Sequence, residues 1–366
     1  MKVALLSSSR ADFGIYYPLA KILKEDQFFD LEIVAFGTHL SDKFGNTINE
    51  IRKLGFDVKH QLITIPEGDS PRDISRAIGV TIEVFSDFWS EHNFDLILAL
   101  GDRYEMFAAV SAASPFNIDI AHIHAGETTL GAIDNAYRHS ISLMSKYLFV
   151  SNEEYRSRGI EIIQNDKNVF NVGALSIDNL VEQDLYSKNE FKDEFNIDLS
   201  IPSILTTIHP ETISLDLNHN NITEFLTALN DLRERFQIVI TMPNSDTMGL
   251  MFRKKIEVFS EDKSNIKLVE SFGMKGYLSC MKHCRFMLGN TSSGFVEAAF
   301  FPKWVINVGN RQKGRFRTPN IIDCEFSSEQ IINSVDSIEG KQPQQVCVYG
   351  NGSAALLISE KLKQLY

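Results

Sequence analysis

Leu96-Ile-Leu-Ala-Leu-Gly-Asp-Arg-Tyr-Glu-Met106, followed by Ala121-His-Ile-His-Ala-Gly-Glu-Thr-Thr-Leu-Gly-Ala-Ile-Asp134, decides how this chain is read. The first segment is a short unbroken apolar run closed by Gly101, the pattern of a strand buried on both faces of a parallel sheet. Asp102, Arg103 and Glu105 emerge at its carboxyl end. A second run, Ile120 to His124, ends the same way at Ala125-Gly126-Glu127. Open α/β sheets bind ligands beyond the carboxyl ends of their strands. A hydrophobic core has no use for so many acids, imidazoles and arginines, so the two clusters are expected to face one crevice and form a reaction centre.

On either side, strand and helix patterns alternate. Strands are expected at Val3–Ser7, Leu31–Gly37, Lys59–Ile65, Tyr147–Val150 and Val169–Val172, with helices around Tyr16–Glu25, Phe44–Leu54, Ser75–Glu91 and Asn135–Ser145. This is repeated βαβ. A polar, helix-prone stretch from Ser176 to Ser200 intervenes, and a second series follows: strands at Ser203–Ile208, Gln237–Thr241, Ile266–Val269, Phe286–Leu288 and Val305–Val308. Helices are expected between them at Ile222–Arg235, Gly249–Phe259, Met274–Lys282 and Gly294–Phe300. The economical reading is an α/β chain of two Rossmann-like domains, 1–175 and 176–352, with a terminal helix over 353–366 packing back on the first.

A chain of 366 residues is too long for one ordinary core, and its 43% hydrophobic content suits two packed globular domains. The net charge of −12 argues against nonspecific binding to nucleic acid or an anionic membrane, so an anionic ligand needs a local basic site. No apolar run approaches the roughly 18 to 20 residues that span a bilayer, and a cytoplasmic protein is expected. The four cysteines, Cys280, Cys284, Cys324 and Cys347, are read as reduced thiols. Cys280, His283 and Cys284 lack a second ligand pair and are read as packing.

Four further segments carry chemistry. Ser7-Ser-Ser-Arg-Ala-Asp-Phe-Gly14 lies between a strand and a helix where a Rossmann protein binds pyrophosphate, but it lacks the G-x-G-x-x-G spacing. It reads either as an ordinary turn or as an anion site at a helix N-terminus. Leu288-Gly-Asn-Thr-Ser-Ser-Gly-Phe-Val-Glu297 offers hydroxyls and amides to a diphosphate and Glu297 to a ribose, or else simply caps a helix. The following basic loop, Asn307-Val-Gly-Asn-Arg-Gln-Lys-Gly-Arg-Phe-Arg317, tips that balance towards a phosphate clamp. His209-Pro-Glu211 closes the first strand of the second domain, where a catalytic or leaving-group role competes with a structural one. His122-x-His124 with Glu127 could alternatively be metal ligands of an amidohydrolase, although such enzymes build closed barrels.

Taken together these residues resemble the UDP-N-acetylglucosamine 2-epimerase family, specifically its hydrolysing branch. The resemblance runs from Ser9-Arg-Ala-Asp12 through Gly37-Thr-His39, Gly101-Asp-Arg-Tyr-Glu105, His122-Ile-His-Ala-Gly-Glu127, Asp134, Arg138-His139, His209-Pro-Glu211 and Asn290-Thr-Ser-Ser-Gly294 to Gly309-Asn-Arg-Gln-Lys-Gly-Arg315. It implies a GT-B-like fold, two Rossmann-like domains whose parallel sheets face a central cleft. Asp102, His124, Glu127, Asp134 and His209 would then be catalytic. Substrate and nucleotide would meet Arg10, Asp12, His39, Arg103, Arg138, His139, Asn290, Thr291, Ser292, Ser293, Gly294, Glu297, Arg311, Lys313 and Arg315. One departure stands out: where the non-hydrolysing epimerases, and some hydrolysing ones, carry a catalytic glutamate, this chain has His124.

The implied reaction converts UDP-GlcNAc and water to N-acetylmannosamine and UDP through a glycal, for sialic-acid-type sugars. The alternative is the same chemistry on UDP- or GDP-linked N,N'-diacetylbacillosamine, and more distant readings are a GT-B glycosyltransferase or the metallo-hydrolase above. No metal or other cofactor is implied, the nucleotide sugar is the partner, and a homodimer or dimer of dimers is expected.

Overall fold

The computed structural model describes residues 1–42, 45–64, 68–182, 184–243 and 246–366. The chain divides into two compact units, one of residues 1–127, 134–181 and 349–366, the other of 128–133 and 182–348. The boundary expected after residue 175 falls instead at Val181, because all but the last residue of the helix Leu175–Glu182 lie in the first unit.

Among the described residues the first unit holds a parallel sheet of β1 (Lys2–Ser7), β2 (Asp30–Phe36), β3 (His60–Leu62), β4 (Leu96–Leu100), β5 (Asp119–Ile123), β6 (Tyr147–Val150) and β7 (Val169–Asn171), in the order β3-β2-β1-β4-β5-β6-β7. Alternation explains why β4 is an unbroken apolar run. Leu96, Leu98 and Leu100 enter one core with Tyr16 and Leu19, while Ile97 and Ala99 enter another with Phe85 and Val110. A strand covered by helices on both faces has no solvent side to mark with polar residues. The terminal helix Ala354–Leu365 packs on Arg10–Glu25, and its first amides, of Ala354 and Ala355, donate to the buried Asp178 carboxylate at 3.0 and 2.7 Å.

The second unit repeats the plan. Among its described residues β8 (Ser203–Thr207), β9 (Gln237–Thr241), β10 (Ile266–Val269), β11 (Phe286–Gly289), β12 (Trp304–Val308) and β13 (Ile321–Cys324) form a parallel sheet ordered β10-β9-β8-β11-β12-β13. Ile204, Ile238, Leu288 and Ile306 face one core, and Leu205, Val239, Met287 and Val305 the other. The short stretch Thr128–Ile133 is bound into this unit: the Leu130 amide donates to the Lys313 carbonyl at 2.8 Å, and the Ile133 amide to the Thr212 hydroxyl at 2.9 Å. The strand order reverses between β1 and β4 and between β8 and β11, the topological switch points where ligands bind in such sheets.

Several expectations need correction. The helix expected around Phe44–Leu54 is described only as Ile48–Lys53, with Phe44 outside the described residues, and the strand expected at Lys59–Ile65 is described as His60–Leu62, with Ile65 likewise outside. The Ser176–Ser200 stretch contains the helices Leu175–Glu182 and Lys188–Phe195, the latter opened by a Ser187/Glu190 capping box. The pattern reading misses the helices Tyr104–Ala113, Glu153–Ile163 and Ser328–Ser337 and the strand β13. The helix expected at Gly294–Phe300 is a 3-10 turn, Ser292–Gly294, and a single α turn, Glu297–Phe300.

Gly289 shows how tightly the second switch point is built. Its φ is +146°, and a Cβ placed there would lie 2.0 Å from the Thr207 carbonyl oxygen of β8. Gly289→Ala should therefore lower unfolding stability by about 3 kcal/mol or more, seen as a fall in the urea midpoint.

Candidate active site

All strands of each sheet run parallel, so every loop after a strand emerges at one edge. In the first unit that edge carries the loops after β1, β2, β4 and β5. Arg138, on the helix Asp134–Met144, is the hub. It is 2% exposed. One guanidinium nitrogen donates to the Asp102 carboxylate, and the other donates to the His124 carbonyl at 2.8 Å and lies 3.4 Å from the Glu127 carboxylate. Glu127 in turn accepts from His124 Nδ1 at 2.8 Å. His124 Nε2 is buried and has no hydrogen-bond partner among the described residues. Asp102, His124, Glu127 and Arg138 thus form one connected cluster with Asp102 its most exposed acid, 23% accessible.

Other predicted residues surround this cluster or support it. Arg103 is held by the fully buried Glu105, its Nε and Nη2 donating at 3.1 and 2.9 Å. His139 is half-buried, which lowers its pKa, and its Nε2 lies 3.3 Å from the Glu127 carbonyl. Asp134 opens the Arg138 helix, close enough to Tyr137 to add to burial in raising the pKa of that phenol. Arg10 begins the helix Arg10–Glu25 and is partly exposed.

Asp12 and His39 serve the scaffold. The Asp12 carboxylate accepts from the amides and hydroxyls of both Ser8 and Ser9, at 2.6 to 3.0 Å, as the acid of a capping box. His39 is fully buried, with Nε2 2.9 Å from the Ser7 hydroxyl and Nδ1 2.9 Å from that of Thr47. Burial lowers its pKa to about 4 against the pull of Asp12. Both residues support the β1 loop, Asp12 through Ser8 and Ser9 and His39 through Ser7, while the other His39 nitrogen is committed to Thr47. His122 is equally enclosed: Nε2 meets the Gly101 carbonyl at 2.7 Å and Nδ1 the Ser142 hydroxyl at 2.9 Å. The His-x-His spacing therefore does not present two ligating imidazoles, which removes the geometric basis of the amidohydrolase alternative.

In the second unit His209 follows β8, its amide accepted by Asn290 Oδ1 at 2.8 Å and its carbonyl receiving Asn290 Nδ2 at 2.9 Å. Asn290 therefore clips the β8 loop to the β11 loop. Its own carbonyl accepts from the buried Gln312, whose Oε1 accepts from Arg315 Nε at 2.6 Å. Thr291 and Ser293 hydroxyls lie 3.2 Å apart, Ser293 meets Tyr277 at 2.6 Å, Ser292 is exposed, and Gly294 and Glu297 complete the turn. With only one α turn beyond it, this turn offers amides and hydroxyls rather than a helix dipole. The basic loop is divided in its duties: Arg317 pairs with Asp323, Arg315 is buried on Gln312, Arg311 meets Asp246 at 3.1 Å, and Lys313 is exposed. Asp246 also lies 4.0 Å from His209 Nδ1. Sequence reading missed Asp246 and Gln312. Position alone marks Asp246, a carboxylate in the loop after β9, and Gln312 lies within the basic loop where its cations draw the reading.

Each Rossmann-like unit gathers charged and hydrogen-bonding side chains at the carboxyl ends of its parallel strands, the arrangement of an α/β enzyme. The family model described as UDP-N-acetylglucosamine 2-epimerase matches residues 21–363. The GDP/UDP-N,N'-diacetylbacillosamine 2-epimerase (hydrolyzing) of Campylobacter jejuni is 34% identical over 343 residues, 93% of this chain and 89% of that one. The UDP-N,N'-diacetylbacillosamine 2-epimerase (hydrolyzing) of Legionella pneumophila is 30% identical over 368 residues, 100% of this chain and 96% of that one. In fold, the chain is similar to UDP-GlcNAc 2-epimerase from Neisseria meningitidis bound to UDP-GlcNAc, with a TM-score of 0.83, 19% identity and complete coverage of both chains. The chain belongs to the UDP-N-acetylglucosamine 2-epimerase family, in its hydrolysing branch.

Two outcomes test this geometry. Arg138→Met should cost about 3 to 5 kcal/mol of stability in urea unfolding, since the buried Glu127 and the partly exposed Asp102 lose their shared cation. Acid should act through His39 and His122, whose burial lowers their pKa values from 6.5 to about 4 and about 3. The unfolded chain then binds protons first. Stability is full above about pH 6.5 and falls as pH drops below it, by up to about 1.4 kcal/mol per unit for each histidine. Urea midpoints from pH 7.5 to 4.5 should show this slope, reduced by one histidine's share in His39→Gln.

Proposed function

We propose that this enzyme hydrolyses UDP- or GDP-linked N,N'-diacetylbacillosamine, releasing nucleoside diphosphate and the free sugar inverted at C2. The observation that carries the chemistry is the connected Asp102–Arg138–Glu127–His124 cluster at the ends of β4 and β5. The relatives carry the substrate: the two hydrolysing diacetylbacillosamine enzymes match over nearly the whole chain. This reverses the order of substrates drawn from motifs alone, where UDP-GlcNAc and sialic-acid-type sugars came first. Motifs at strand ends report the shared chemistry of C1 and C2, not the substituents at C4 and C6.

The reaction divides into two stages. The C1–O bond to the diphosphate breaks while a base takes the C2 proton, leaving a glycal. Within the second unit, Arg311, Lys313 and the amides of the Thr291–Gly294 turn are the groups suited to hold a nucleoside diphosphate and the charge that grows on it. Water then adds its hydroxyl at C1, and a proton is returned to C2 on the opposite face. His124 and Asp102 make these transfers. Glu127 accepts a hydrogen bond from Nδ1–H, which leaves the buried Nε2, without a partner among the described residues, as the working atom.

Incubating the protein with UDP-GlcNAc and with UDP- and GDP-linked diacetylbacillosamine, and identifying the free sugar by NMR, tests the proposal. The expected result is faster turnover of a diacetamido substrate to its C2 epimer. Preference for UDP-GlcNAc would restore the other substrate. Asp102→Asn should lower kcat by a factor of about 100 to 10,000. Near-normal turnover in that variant would remove Asp102 from the mechanism.

A further inference from the structure

His122 and Ser142 are fully buried, and neither has a place in the reaction just described. They connect the two elements that carry Asp102 and Arg138. Gly101, immediately before Asp102, has φ +77° at the end of β4, and its amide donates to the Ile123 carbonyl of β5 at 3.0 Å. The Gly101 carbonyl meets His122 Nε2 at 2.7 Å. A carbonyl can only accept, so Nε2 carries the hydrogen. Enclosure keeps the ring neutral, lowering its pKa to about 3, so Nδ1 has a lone pair. The group facing it at 2.9 Å is the Ser142 hydroxyl, which therefore donates. Ser142 stands one turn after Arg138 on the helix Asp134–Met144.

We infer that Ser142 and His122 are positioning residues for the epimerisation, a rigid Ser142–His122–Gly101 relay that sets the Asp102 carboxylate against the Arg138 guanidinium. The chain of bonds runs from the helix, through the imidazole on β5, to the backbone of the loop after β4. It closes a ring with the Arg138–Asp102 ion pair. Two anchor points on one helix, four residues apart, fix both the distance and the rotation of that helix relative to Asp102. A hydrophobic pair in the same space would fill the volume and leave the rotation free. The inference rests on the catalytic reading of Asp102.

The test separates the two. Wild-type turnover of the nucleotide sugars decides the functional reading. Histidine 15N spectra and the crystal structure of Ser142→Ala decide the relay without reference to activity. In the wild type, His122 should be the neutral Nε2–H tautomer throughout the neutral range. In Ser142→Ala, the Asp102–Arg138 pairing should be lost or displaced. An Nδ1–H tautomer, or an unmoved Asp102, would overturn the inference even if the enzyme proves inactive. In an active enzyme, Ser142→Ala should lower kcat by about 10- to 100-fold, since displacement of a proton-transfer group by an ångström is felt mainly at the transition state. KM should change by no more than about twofold. His122→Gln, whose amide can still donate towards Gly101, should keep more turnover than His122→Leu. Unchanged kcat with only a lower melting temperature in Ser142→Ala would reduce the pair to packing and overturn the assignment.

Discussion

Arg138 is a charge held almost wholly out of water, and the first unit is organised by the need to satisfy it. An unpaired guanidinium in that position would cost several kcal/mol, so the helix Asp134–Met144 can dock only where anions await it. The sheet supplies Asp102 from the loop after β4, and Glu127 with the His124 carbonyl from the loop after β5. Each acid is placed by the cation as much as the cation is placed by the acids. The acids a proton-transfer site needs are thereby drawn together without either being lost in an apolar core. Arg138, which motif reading assigned to substrate, is better understood as the member that makes the others neighbours.

The second unit solves a related problem with neutral groups. Its loops are held by amide side chains: Asn290 clips His209, Asn218 clips Glu211 through both backbone groups, and Gln312 joins Asn290 to Arg315. An amide offers donor and acceptor together, so it can pair a backbone segment without introducing charge. The cations of the basic loop are then held by separate partners, Arg311 by Asp246 and Arg317 by Asp323. The amide clips add no charge of their own, so the charge of the basic loop is set by its cations and the acids that hold them.

Legibility in the sequence follows burial. β4 is readable because both faces are covered and its apolar run is continuous. β13 is half-exposed at a sheet edge, and Ile321-Ile-Asp-Cys324 is too short and mixed to announce itself. The helix Tyr104–Ala113 fails for the opposite reason: it is buried on nearly all sides, so it has no polar stripe and no helical period to detect. Within the site, strand ends reveal which acids and imidazoles gather, but not which are consumed by the scaffold. Ser9 and Asp12 at N-cap and N3 spell a capping box that the sequence itself displays. His39 gives no such sign, since its enclosure depends on Thr47 and on the distant Ser7. Asp246 reaches His209 and Arg311 only once β8, β9 and β12 are assembled.

His124 shows why two imidazoles spaced like strand-borne metal ligands take separate roles. Alternation along a regular strand would send residues 122 and 124 to the same face. The chain leaves β5 at Ile123, and His124 adopts φ +62°, a left-handed conformation that costs a residue with a Cβ about 1 to 2 kcal/mol. Glycine or asparagine would occupy it with less strain. The histidine is retained where its backbone carbonyl meets Arg138 and its Nδ1 meets Glu127, and those two bonds offset the conformational cost. The turn breaks the alternation, so His122 remains sealed between Gly101 and Ser142 while His124 keeps one buried nitrogen uncommitted. Strain at one backbone position thus separates a structural imidazole from one that is available for chemistry.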